Sequence, residues 1–140
     1  MKVREIMSTQ IETVEPNDTI KKAAHIMNRG RISGLIVSKD REVIGIITER
    51  DILKAFVKGL KPGTPVKSVM TKSVVTIDEN ASLEEAAKRM LDYGVKRLPV
   101  TSKGRCAGIV TVTDLITYEE RLIDKVSELF QLPRKKYETS

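Results

Sequence analysis

The sequence predicts an α/β (α+β) fold in which one β-α-β-β-α unit occurs twice. The first observation behind this is internal similarity, because residues 3–56 align with residues 66–119 without a gap. Thirteen of the aligned pairs are identical, where composition alone gives about three. The second observation is that short strand-like runs alternate with helical patterns in both copies. The chain is therefore divided into a first repeat (3–56), a linker (57–65), a second repeat (66–119), and a C-terminal helix with a basic tail (120–140).

Each repeat begins with a strand-like run, at residues 11–14 and 74–77. A helix follows, with apolar residues at i, i+3, i+4 and i+7 that share one helical face. These positions hold Ile20, Ala23, Ala24 and Met27 in the first copy and Leu83, Ala86, Ala87 and Met90 in the second. A β-hairpin comes next, and a second helix starts near Asp51 and Asp114. The same order of elements in both copies predicts two equivalent units.

The segments outside the repeats have distinct patterns. The linker contains two prolines and two glycines, which break helices and strands, so it is predicted to be a loop. Apolar residues recur at helical spacing from Leu115 to Phe130, which predicts a long final helix that ends at Pro133. Arg134–Lys136 form the one compact basic block. The final helix either packs back on the core or forms a dimer contact, and the sequence leaves both open.

Composition is typical of an ordinary globular domain, with 40% hydrophobic and 31% charged residues. No apolar run approaches the roughly 20 residues of a membrane span. The first ten residues are too charged for the apolar stretch of a signal peptide. A single cysteine excludes an intrachain disulfide. These features predict a cytoplasmic protein with no membrane partner.

Enzymatic chemistry has little support in the sequence. Because the chain contains one histidine and one cysteine, it has no internal His/Cys zinc cage. His25 aligns with Lys88, which predicts an exposed side chain, and Cys106 aligns with Val43, which predicts a buried strand residue. No nucleophile is paired with a base. The sequence therefore predicts that the protein is not an enzyme.

The net charge of +6 raises nucleic acid as an alternative partner. The charge is evenly mixed, however. The first repeat has nine Lys or Arg against eight Asp or Glu, and the second has eight against seven. Aromatic residues, on which unpaired bases stack, make up 4% of the chain. Nucleic-acid binding is therefore kept as the alternative interpretation.

The most informative motif is G-h-h-T-x-x-D, where h is apolar, which occurs at residues 45–51 and 108–114. In each copy it joins the end of a strand to the start of a helix. A helix N-terminus favours an anion such as phosphate, and an ionised Asp accepts hydrogen bonds from vicinal ribose hydroxyls. The same Thr and Asp also make good helix caps. Both interpretations are open, although the repetition of the motif favours ligand binding.

Together with the repeat and the Ala-Ala/Met helix, these motifs resemble a tandem cystathionine-β-synthase (CBS) domain pair, also called a Bateman module. Segments 31–37 and 94–100 share the resemblance. It extends over residues 3–119, which implies a stand-alone module with two units related by a pseudo-twofold axis. The resemblance also implies a sensor of adenosyl ligands, namely AMP, ADP, ATP, S-adenosylmethionine or NAD, that regulates other proteins.

The resemblance further implies two clefts, each built from both units. One is expected to use Thr111, Thr113 and Asp114, with Ile11, Ile32, Ser33 and Gly34 as the adenine-binding wall. The other is expected to use Thr48, Arg50 and Asp51, with Val74, Val95, Lys96 and Arg97. The first is expected to bind a nucleoside monophosphate, whereas the three cations of the second either bind a polyphosphate or lie in solvent.

Partners are also implied by the resemblance. The family forms flat, disc-like dimers, so a homodimer and a separate effector protein are expected. A scaffold with empty sites is a further alternative, and the intact Thr-x-x-Asp motifs count against it.

Overall fold

A computed structural model describes residues 1–129 of the chain, and it contains two β-α-β-β-α units. The first unit contains β1 (Thr13–Val14), α1 (Ile20–Gly30), β2 (Gly34–Lys39), β3 (Glu42–Thr48) and α2 (Glu49–Val57). The second contains β4 (Ile77–Asp78), α3 (Leu83–Tyr93), β5 (Arg97–Ser102), β6 (Arg105–Thr111) and α4 (Val112–Leu129). The predicted fold class and order of elements are confirmed. The predicted helix end at Pro133 and the basic block Arg134–Lys136 lie outside the described residues.

Each unit has one three-stranded sheet, with strand orders β1-β2-β3 and β4-β5-β6. In both sheets the first strand pairs in parallel with the second, and the second pairs antiparallel with the third. The first strands contain two residues each, shorter than the predicted runs at 11–14 and 74–77. The segments before these short strands are therefore free to form the wall of a cleft.

The linker is tied to the start of α1. The backbone N–H of Ile20 donates to the carbonyl of Thr64 at 2.9 Å, and that of Lys21 donates to the carbonyl of Pro62 at 3.2 Å. The hydroxyl of Thr19 accepts the N–H of Lys22 at 3.1 Å. The N–H groups at a helix N-terminus have no intrahelical partner. Here two carbonyl groups of the linker accept hydrogen bonds from two of them.

Two hydrophobic cores lie between the helices and sheets, and each contains a residue from the other repeat. Val3, at the start of the first repeat, is fully buried in the second unit, and its N–H donates to the carbonyl of Ala81 at 2.8 Å. Val66, at the start of the second repeat, is fully buried in the first unit, and its N–H donates to the carbonyl of Asp18 at 2.7 Å. The two units therefore exchange their first segments and interlock.

The exchange explains the glycine of each G-h-h-T-x-x-D motif. Ser8 and Ile109 exchange both backbone hydrogen bonds, at 2.9 and 3.0 Å. A Cβ built on Gly108 would lie 2.5 Å from the carbonyl oxygen of Ser8, and one on Gly45 would lie 3.0 Å from that of Thr71. The segment entering from the other repeat thus passes directly over these glycines, which leaves no room for a side chain.

The long helix α4 packs against the core of its unit, as one of the two predicted alternatives has it, and the dimer contact stays a prediction. Leu115 packs against the core of the second unit, whereas Ile116, Leu122 and Val126 are about half exposed. Across residues 1–129, every helix is too short or too polar to span a bilayer.

Candidate functional site

Both Thr-x-x-Asp motifs form reciprocal caps at the starts of α2 and α4. Asp51 Oδ2 accepts from the N–H and the hydroxyl of Thr48, at 2.9 and 3.1 Å, and the Asp51 N–H donates to Thr48 Oγ1 at 3.3 Å. Asp114 Oδ2 accepts the N–H of Thr111 at 2.8 Å, and the Asp114 N–H donates to Thr111 Oγ1 at 3.2 Å. The capping interpretation is therefore correct for the local structure.

Capping leaves part of each carboxylate available. The caps use Oδ2, and neither Oδ1 accepts a hydrogen bond from residues 1–129. Asp51 and Asp114 are both half-buried. An ionised carboxylate has about four acceptor positions, so capping and ribose binding are compatible at the same side chain.

A cavity of about 320 Å³ lies between the two units, within the range of small-molecule sites. Its wall contains Ile11, Ile32, Ser33 and Gly34 from the first repeat and Thr111 from the second. These are five of the seven residues predicted for the first cleft. The other two, Thr113 and Asp114, follow Thr111 in the first turn of α4 and lie beside this wall rather than in it.

The wall at 32–34 is held by the backbone. Arg31 ends α1 in the left-handed conformation, with φ 52°, and its N–H donates to the carbonyl of Met27. The carbonyl of Ser33 accepts the N–H of Glu49 at 2.9 Å, and Gly34 pairs with Thr48 in the sheet. The wall is therefore fixed to the first turn of α2, next to the Thr48–Asp51 cap.

The structure places Arg97 in a different cleft from the predicted one. Arg97 lines the first cavity, and its guanidinium donates to the hydroxyl of Ser33. A Cβ built on Gly34, the counterpart of Arg97 in the first repeat, would lie 2.5 Å from Arg97 Nη1. Because glycine leaves this space empty, the long side chain crosses to the other unit.

The residues predicted for the second cleft are dispersed over different surfaces. Val74 lines a depression of about 450 Å³ with Arg89 and Tyr93. Arg50 lines a separate groove of about 340 Å³ on α2. Val95 packs against the core of the second unit. Lys96 is exposed, and its carbonyl accepts the N–H of Val112 at 2.9 Å. Thr48 and Asp51 remain together at the start of α2 through their reciprocal cap.

Several residues of the first cavity were not predicted. Gln10, Glu12, Arg31, Ile36 and Ile109 also line it. Arg31 could have been recognised by comparing the repeats, because the second repeat has Gly94 at the matching helix end. Glycine is the default residue in the left-handed conformation, so an arginine in its place marks a position worth examining.

His25 and Cys106, the one histidine and the one cysteine of the chain, lie in environments typical of residues without a catalytic role. His25 is exposed on α1. Cys106 lies on β6 but is half-buried rather than buried, and burial raises the pKa of its thiol. A thiol with a raised pKa is a poor nucleophile near neutral pH.

A family model for the CBS domain matches residues 3–58 and 66–121. The chain belongs to the CBS domain family. The CBS domain-containing protein YhcV of Bacillus subtilis is 36% identical over 114 residues, which cover 81% of each chain. The CBS pair of this protein also matches inosine-5′-monophosphate dehydrogenase of Aquifex aeolicus, 36% identical over 107 residues, but these cover 74% of this chain and 21% of that enzyme.

A solved CBS pair has nearly the same fold. The CBS domain pair of protein MJ0100, in complex with 5′-methylthioadenosine and S-adenosyl-L-methionine, superposes with a TM-score of 0.78 at 28% identity. The alignment covers 87% of this chain and 98% of that one. Adenosyl compounds therefore bind to a CBS pair of this architecture.

Proposed function

We propose that this CBS pair is a regulatory module that binds an adenosyl ligand in the cavity between its two units. The observation that supports the proposal is the composition of this cavity, which joins the predicted adenine-binding wall of the first repeat to Thr111 of the second. The complex of the MJ0100 pair supports the same ligand class. AMP, ADP, ATP and S-adenosylmethionine are the candidate ligands.

Each part of the site has a proposed role. Ile11 and Ile32 flank the adenine, and backbone groups of Ser33 and Gly34 face its polar edge. Thr111 and Thr113 donate hydroxyl hydrogen bonds, and Asp114 accepts from the ribose through its free oxygen. The counterpart residues Thr48 and Asp51 keep their reciprocal cap at the start of α2, and no second site is proposed there.

Signalling follows from the position of the ligand. A ligand that contacts both units binds more tightly to one relative arrangement of them, and this differential affinity shifts the population toward that arrangement. A separate effector protein that contacts both units would respond to the shift. No chemical step is needed for this role.

A thermal-shift panel tests the proposal directly. We expect at least one of AMP, ADP, ATP and S-adenosylmethionine to raise the melting temperature with saturable concentration dependence, because a ligand of the native state stabilises it by mass action. Guanosine monophosphate is the matched control for the base. Equal shifts with adenine and guanine nucleotides, or no shift at all, would contradict the proposal. Turnover of a bound nucleotide would instead indicate an enzyme.

We also propose a homodimer, formed through the apolar surfaces of α2 and α4. Phe56 is 80% exposed and Val57 is 84% exposed on α2. Ile116, Leu122 and Val126 are about half exposed on α4. Clusters of large exposed apolar side chains are typical of protein–protein contacts, and several such side chains lie on each of these two helices.

Light scattering after gel filtration tests the dimer. We expect the wild type to elute at twice the chain mass and Phe56→Glu to elute at the chain mass. Leu91→Glu, at an 83% exposed position on α3, is the matched control and should remain dimeric. A monomeric wild type at micromolar concentration would contradict this part of the proposal.

A further inference from the structure

We propose that two copies of this chain associate head to tail, so that the helices of the first unit face the helices of the second unit in the other copy. This arrangement rests on the homodimer proposed above and specifies which units meet in it. A head-to-head dimer, in which first unit meets first unit and second meets second, would bury the same helices. The charges on the helices distinguish the two arrangements.

The helices of the two units carry opposite net charges, although each repeat as a whole has one excess cation. In α1 and α2 cations outnumber anions, with Lys21, Lys22, Arg29, Arg50 and Lys54 against Glu49 and Asp51. In α3 and α4 anions outnumber cations, with Glu84, Glu85, Asp92, Asp114, Glu119, Glu120, Asp124 and Glu128 against Lys88, Arg89, Arg121 and Lys125. The net charge is therefore +3 on the first pair of helices and −4 on the second.

The first pair of helices remains positive when the residues next to it are included. Asp18, before α1, pairs with Lys22 at 3.2 Å and removes one positive charge. Lys58, directly after α2, restores it. The positive charge is therefore a property of the whole helical side of the first unit.

On each side the charge surrounds an apolar groove. The groove of about 340 Å³ on α2 is lined by two apolar side chains and three cations, namely Arg50, Leu53, Lys54, Val57 and Lys58. Their spacing of i, i+3, i+4, i+7 and i+8 places them on one helical face. A second groove, of about 540 Å³, lies between α3 and α4 and is lined mainly by Leu83, Ala87, Leu115 and Leu122. Among residues 1–129, the charged side chains that line this second groove are Glu84 and Glu119.

The helical sides are available for contact with a second copy. Among the helices and strands, the main contact between the two units is made by β3 and β6, whereas α1 packs on α2 and α3 packs on α4 within their own units. Leu53, Phe56 and Val57 are largely exposed on α2, and Leu122 is about half exposed on α4. Burial of these side chains against another copy removes apolar surface from water.

Twofold symmetry determines which charges meet in the dimer. Each contact of a twofold dimer occurs twice, with the roles of the two copies exchanged. Head to tail, the cations of α2 meet the carboxylates of the groove between α3 and α4 at both contacts. Head to head, the helices with net charge +3 meet each other, and those with −4 meet each other. Because like charges in contact are unfavourable, the charge pattern favours the head-to-tail dimer.

The salt dependence of dimerisation tests the arrangement in the unmodified protein. Salt screens the attraction of opposite charges and the repulsion of like charges. We expect the dimer dissociation constant, measured by analytical ultracentrifugation, to rise as NaCl increases from about 0.05 M to about 0.5 M. A dissociation constant that falls or stays constant over this range overturns the head-to-tail arrangement.

Charge reversal tests the residues. Arg50→Glu combined with Lys54→Glu brings acidic faces together in a head-to-tail dimer, and Glu84→Lys combined with Glu119→Lys brings basic faces together. We expect each double variant to raise the dissociation constant at least about 10-fold at low salt. The variant with all four substitutions should dimerise again, because its charges are exchanged between the two faces. Lys103→Glu combined with Arg105→Glu is the matched control, since it makes the same charge change at exposed residues of the β5–β6 hairpin.

The outcomes distinguish a wrong orientation from the absence of a dimer. Double variants that keep the wild-type dissociation constant overturn the head-to-tail arrangement while the homodimer stands. A fourfold variant that dimerises no better than the double variants also overturns it. Its recovery, in contrast, excludes misfolding as the cause of the weaker dimers. If the wild type is monomeric at micromolar concentration, the homodimer proposal itself fails.

Discussion

The guanidinium of Arg97 donates a hydrogen bond to the hydroxyl of Ser33, across the boundary between the two CBS units. The sequence assigned these residues to different clefts, and the structure brings them to one wall. The bond connects β5 of the second unit to the segment that links α1 and β2 in the first. A ligand that competes for Arg97 therefore acts on a direct contact between the units.

The capping aspartate of α4 is expected to contribute to ligand binding. Asp114→Asn keeps a good helix cap but removes the charge proposed to accept from the ribose. We expect AMP affinity to fall by about 1.5–3 kcal/mol, the range for hydrogen bonds to charged groups. Asp92→Asn, which removes an exposed carboxylate on α3 that does not line this cavity, is the matched control. Equal losses from both variants in calorimetry would contradict the site assignment.

Gly108 is predicted to be essential for the exchange of segments between the units. An added methyl group would lie 2.5 Å from the carbonyl oxygen of Ser8 and 2.9 Å from Met7 Sδ. We expect Gly108→Ala to lower the free energy of unfolding by about 1–3 kcal/mol, as overpacking does. Gly63→Ala in the linker is the control, because no atom lies within 4 Å of a Cβ there. Denaturant unfolding that shows equal stability for the two variants would refute this role.

The exchanged N-terminal segment is predicted to stabilise the second unit. Val3 is fully buried in that core, so Val3→Ala should reduce stability by about 1.5–3 kcal/mol. Leu91→Ala, at a largely exposed position on α3, should change it little. Hydrogen exchange adds a sharper readout, since the loss of protection in Val3→Ala should be largest in β4, α3 and β5. Loss confined to β2 and β3 would show that the segment belongs to its own repeat.

Acid should weaken the turn before α1 through Asp18. The N–H of Glu15 donates to its carboxylate at 2.8 Å and Lys22 Nζ does so at 3.2 Å, and these bonds lower the pKa of Asp18. Because the pKa is lower in the folded state, the stabilisation is present above the unfolded value of about 3.9 and is lost as the pH falls through the folded value. Asp18→Ala should therefore lower the melting temperature at pH 7 and have a smaller effect near pH 2. An equal decrease at both values would show that the charge is not responsible.

The duplication, the order of elements and the approximate helix starts could all be predicted from the amino-acid sequence. These features depend on local periodicity and capping, which residues close in the chain specify. The Thr-x-x-Asp motif was also located from the sequence, because it is a short continuous segment, whereas the wall at 32–34 was an implication of the family resemblance. Three features became visible only in the folded chain: Val3 and Val66 are each buried in the core of the other repeat, Gly108 lies beneath Ser8, and Arg97 reaches the first cavity. Each of these depends on how the two units face each other, and a side chain crosses that boundary only where the opposite position leaves it room.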